Sequence, residues 1–142
     1  MLQKLRDQCD AIEKCYEFML AYAAQGLPGD AGSSSGERLR DLLRRAAEAL
    51  SGLPGAYQAA INQANLHPPE KHHAFLSVLR RDAGDALAAV DLVLAQPAIS
   101  SQLIDNLNAS IHLRALLTDL FLIDEIAKLH QSSAGPAISP EI

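Results

Sequence analysis

The sequence predicts an all-α protein, an antiparallel four-helix bundle, on three observations. Helix formers dominate: 24 Ala and 23 Leu stand among 142 residues, against 10 for Val, Thr, Tyr, Phe and Trp together, the types that favour strands. Apolar residues recur at alternating spacings of three and four, which only a helix gathers onto one face. Clusters of Gly, Pro and Ser then divide the chain into four long segments. A single domain over residues 1–130 follows, with helices at about 2–25, 36–65, 69–96 and 101–130 and a flexible tail at 131–142.

The first helix carries its seam at Leu2, Leu5, Cys9, Ile12, Tyr16, Met19 and Ala23. It stops at Gly26, and the stretch from Leu27 to Ser35 is rich in Gly, Pro and Ser and reads as a surface connection. Ser34 followed by Glu37 has capping-box spacing, so the second helix should start there. Its seam is Leu39, Leu43, Ala46, Leu50, Leu53, Tyr57, Ala60 and Ala64. The phase survives Pro54, which removes one backbone donor and crowds the preceding turn. One kinked helix therefore fits better than two helices split there, because an arbitrary loop rarely preserves phase.

Pro68 and Pro69 end that segment and suit the first turn of a third helix. The third seam reads His72, Leu76, Leu79, Ala83, Ala86, Val90 and Val93, and Pro97 closes it. Ser100 or Ser101 can cap the fourth helix. That helix carries two apolar stripes, Ala109, Leu113, Leu116, Leu120, Ile123, Ala127 and Ile104, Leu107, Ile111, Ala115, Leu122, Ile126, Leu129, roughly 140° apart on a helical wheel. The first helix has a smaller second face at Ala11, Cys15, Phe18 and Tyr22. Surplus apolar surface on a soluble chain usually meets a partner. The expected interface is thus Ile104, Leu107, Ile111, Leu122 and Ile126 with Phe18 and Tyr22, covered by a second copy in a homodimer or by another protein's helix.

A net charge of −5 disfavours nucleic-acid binding, which draws on Lys and Arg against phosphates. The N-terminus lacks the apolar run of a secretory signal, and the longest uncharged stretch, Ala49 to Pro69, is too polar and broken to span a bilayer. Cys9 and Cys15 point in different directions on one helix, a poor geometry for a disulfide. Reduced thiols and a cytoplasmic location are the expectation.

Candidate chemistry is sparse. Asp105, Asn108, His112 and Asp119 line up between the stripes of the fourth helix, and an imidazole held by a carboxylate there can tune its charge or bind a ligand. With Tyr16 and Tyr57 supplying further polar groups, His112 and Asp119 outline a candidate ligand pocket. Glu70 and His73 have the spacing of one half of a di-iron site, but the second half is missing. His67, His72 and His73 read as a polar turn, and Arg38, Arg40, Arg44 and Arg45, interleaved with acids, as a solvated salt-linked face. No phosphate loop, nucleophile elbow or paired-cysteine motif occurs. The reading is a non-enzymatic protein acting through protein contacts, as an adaptor, assembly factor or small chaperone, with no metal and no cofactor. The alternative is a small-molecule- or metal-binding bundle with its pocket near His112 and Asp119.

Overall fold

A computed structural model describes the backbone of residues 2–138 and the side chains of residues 2–130. All regular structure among the described residues is helical: α1 (Leu2–Ala24), α2 (Ser34–Gln63), α3 (Pro69–Leu94), α4 (Ser101–Ala109) and α5 (Ile111–Ile138). The all-α expectation holds. The count of four helices does not, because the segment read as one helix over 101–130 is two.

Ser110 makes the break. Its backbone is extended, with φ −66° and ψ 144°. Its amide donates to the Leu107 carbonyl at 3.1 Å, which closes α4. Its carbonyl accepts from the Arg114 amide at 3.2 Å and its hydroxyl from the Leu113 amide at 3.3 Å, which opens α5. Serine suits this double role because its short hydroxyl replaces a missing helical acceptor. The break resets the helical phase: Ile104 and Leu107 face inward before it, and Leu113, Leu116, Leu117, Leu120, Ile123 and Ala127 after it. The α4 part of one stripe, Ile104 and Leu107, and the α5 part of the other, Leu113 to Ala127, are successive parts of one core-facing surface, while Ile111, Leu122 and Leu129 stay exposed.

Several expected interface positions are therefore interior. Ile104 and Leu107 belong to the core, with α4 packed on α1 and α5 on α3. Flanked by both α2 and α4, α1 buries a wide sector that takes in Cys15 and Tyr22, while Ala11 and Phe18 are half-buried against the same core. Tyr22 is fully enclosed and its hydroxyl donates to the Ile99 carbonyl at 2.8 Å. Of the expected interface set, Ile111 (73% exposed) and Leu122 (50%) remain on the surface and Ile126 is half-buried.

The second helix is continuous through Pro54, with Leu50, Leu53 and Tyr57 buried on either side of the proline. Its cap is Ser33 rather than Ser34; the Ser33 hydroxyl accepts from the Gly36 amide at 2.9 Å. All seven seam residues expected for α3 are its buried residues. The last helix runs past the expected end at His130 to Ile138. Residues 139–142 of the expected tail lie outside the described residues.

At the start of α2 a buried polar hub ties three segments together. Asp30 accepts from the Ile99 amide at 2.7 Å and is paired with the Arg40 guanidinium. Arg40 also donates to the carbonyls of Leu94 at 3.1 Å and Gln96 at 2.9 Å. Arg40 thus leaves the solvated face on which its helical neighbours place it, because the loop beyond α3 offers it two orphan carbonyls. Ser101 closes the hub, donating to the Tyr22 carbonyl at 2.6 Å and accepting from the Leu27 amide at 2.9 Å.

Gly36 sits under this hub, and a β-carbon there would overlap the Asp30 backbone carbonyl. Since backbone atoms cannot swing aside as a side chain does, Gly36→Ala should cost about 2 kcal/mol of stability, the range of overpacking. Urea unfolding checks it, and an unchanged midpoint would show that the hub tolerates displacement.

Candidate functional site

At the opposite end of α2 the ends of three helices line an open-sided cavity of about 430 Å³. Its walls are Tyr57 from α2, Lys71, His72 and Phe75 from the first turns of α3, and Leu122, Ile123, Ile126, Leu129 and His130 from α5, with His67 and Pro68 from the connection. Heptad phase explains the inner wall. Tyr57 and His72 occupy seam positions of α2 and α3, so both side chains are directed between the helices.

The polar groups at the inner wall are satisfied by one another. The Tyr57 hydroxyl lies 2.5 Å from His72 Nδ1, with the rings edge to face at a centroid distance of 5.8 Å. Burial pushes the Tyr57 phenol up to about 12, so it keeps its proton and donates. The same desolvation holds the His72 imidazole below its ordinary value, outweighing an opposite contribution from the His67 backbone. His72 therefore accepts through Nδ1 as a neutral ring.

His130 is held from two sides. Its Nε2 accepts from the His67 amide at 2.9 Å, and its Nδ1 faces the Ile126 carbonyl at 3.0 Å. A carbonyl can only accept and an amide N–H can only donate, so the ring is the neutral Nδ1–H tautomer. The His67 ring stacks over His130 at 6.4 Å, and His72 meets it edge-on at 6.0 Å. Together these contacts pin the α2–α3 connection to α5 and leave the cavity almost wholly apolar.

The residues expected to line a pocket separate. Tyr57 lines the cavity, but His112 is exposed on the first turn of α5 and Tyr16 is half-buried on α1. Asp119 is buried, 5% exposed, and its partner is Asp82 of α3 rather than His112. Burial first, and then the hydrogen bond and charge of Asp82, push the Asp119 carboxyl up to about 7. One of its oxygens, Oδ2, has no hydrogen-bond partner. His73 and Glu70 are exposed. Among the described residues, no group of three or more His, Cys, Asp or Glu side chains is arranged to hold a metal ion.

Both thiols are buried, and burial is the first cause that raises each to about 12. Nucleophilic or redox chemistry needs thiolate, so neither cysteine is activated for it. Sequence reasoning missed His130, Lys71 and Phe75 as site residues. The apolar run Leu122, Ile126, Leu129 was the available signal, yet its meeting with the start of α3 depends on tertiary packing. Comparison with protein-family models, with curated proteins and with solved structures yields no match.

Proposed function

We propose that this chain is a non-enzymatic binding protein whose end cavity holds a hydrophobic small molecule. The carrying observation is the cavity itself: about 430 Å³, walled by aliphatic and aromatic side chains with its inner polar atoms already paired. Small-molecule sites typically measure about 300–1,000 Å³ and combine apolar walls with a few fixed polar groups. This reading moves the ligand site from His112 and Asp119 to the junction of α2, α3 and α5.

Nile red, a neutral hydrophobic dye, provides the test. The wild type should bind it saturably, and Leu122→Asp should weaken binding about tenfold, because one aliphatic wall becomes a carboxylate that bound dye would desolvate. Leu122 is half exposed, so the far-ultraviolet circular dichroism should stay unchanged. Absence of saturable binding by the wild type would overturn the reading.

A protein partner is the second reading, favoured by the exposed Ile111, Phe121, Leu122 and Leu129 along α5. It retains an adaptor, assembly-factor or chaperone role and a homodimer, but through a surface that omits Ile104, Leu107 and Tyr22. Native mass spectrometry distinguishes the two: a monomer with a retained small-molecule adduct supports the cavity, and a dimer without one supports the surface. No helix among the described residues is long and apolar enough to cross a membrane.

A further inference from the structure

We infer that the cavity's ligand is an amphipathic monoanion, an alkyl chain ending in a carboxylate, with its head group against Lys71 at the mouth. The inference rests on the hydrophobic-ligand reading and adds the chemistry of the head group.

Charge selection carries it. The chain holds 17 acidic residues against 12 Lys and Arg, yet the cavity lining contains no carboxylate. Its nitrogenous groups are His67, Lys71, His72 and His130. Two of these are engaged within the protein, His72 with the Tyr57 hydroxyl and His130 with the His67 amide and the Ile126 carbonyl. The His67 ring stacks on His130 at the exposed edge. Lys71 remains as the lining's cationic side chain, exposed and in no ion pair among the described residues.

Shape and charge therefore run in one direction. The deep wall of Phe75, Ile123 and Ile126 is apolar and suits a hydrocarbon chain. A lysine at the rim lays its aliphatic stem along such a wall and keeps its ammonium in water, where a carboxylate can meet it without losing its own hydration. A cationic head would be repelled by the same group. A neutral head would forgo the attraction, so the lining selects a monoanion over an alcohol of equal length.

Calorimetric titration with decanoate and with n-decanol, on the wild type and on Lys71→Met, tests this. Methionine keeps an unbranched stem and removes only the charge. The wild type should bind decanoate about threefold more tightly than decanol, as a solvent-exposed ion pair implies, and the preference should shrink as salt is added. In Lys71→Met the two affinities should become equal through loss of decanoate binding alone. Equal affinities in the wild type would overturn the monoanion inference and leave the hydrophobic cavity standing. A decanoate preference that persists in Lys71→Met would overturn the role of Lys71. Failure of both compounds to bind would overturn the cavity reading itself.

Discussion

Arg40→Met should destabilise the protein by about 3 kcal/mol, within the range found when one partner of a buried ion pair is removed. Arg40 satisfies three groups at once, the Asp30 carboxylate and the carbonyls of Leu94 and Gln96. Methionine fills much of the same volume but donates nothing, so a buried charge and two carbonyls lose their partner together. For a chain of this length the loss should lower the melting temperature by about 10 °C. The pH dependence has a defined sign. The guanidinium beside Asp30 is the first cause holding its carboxyl below the ordinary 3.8. Asp30 therefore contributes stability above the unfolded carboxyl's pKa and loses it as pH falls through the folded one. Thermal melts near neutrality and near pH 3 should show a smaller acid-induced drop in Arg40→Met than in the wild type. An unchanged melting temperature would show that the hub does not hold the loops.

Asp119→Asn should act in the opposite direction and stabilise the protein at neutral pH. Burial and the neighbouring Asp82 raise the Asp119 carboxyl from 3.8 to about 7. A group whose folded pKa lies above its unfolded one contributes stability that is complete below the unfolded pKa. That contribution is lost as pH rises through the folded value. The wild type should therefore lose stability as pH rises from about 4 to about 8. Asparagine carries no charge at any pH and its amide can donate to the Asp82 carboxylate, so the variant should lack this loss across the same window. Urea midpoints at half-unit pH steps measure this directly. Wild-type stability that falls no more than that of Asp119→Asn over that window would show that burial and Asp82 do not raise the Asp119 carboxyl.

How far the sequence alone could be read depended on whether the signal was local. In α3 every seam residue from His72 to Val93 is buried, because seven-residue spacing is a property of one helix and needs no neighbour. Pro54 inside α2 was legible for the same reason, since phase before and after it is a local quantity. The end of α4 was not. Ser110 lacks the backbone signature of a Gly or Pro, and the phase jump across it looks like a second apolar face when the helix is drawn straight. Two candidate interface residues from that drawing, Ile104 and Leu107, proved to be core.

By itself, then, the sequence determined the all-helical class, the whole seam of α3 and most seam positions of α1 and α2. Periodicity and intrinsic propensity act within a few turns and can be read without knowing what lies opposite. Tertiary structure alone decided which ends of helices meet. It placed Arg40 over two loop carbonyls, paired Asp119 with Asp82 from another helix, and set His130 against His67 across 63 residues of sequence. Such contacts depend on the relative placement of whole elements, set by the summed packing of all the seams, and no window of one helix carries that information.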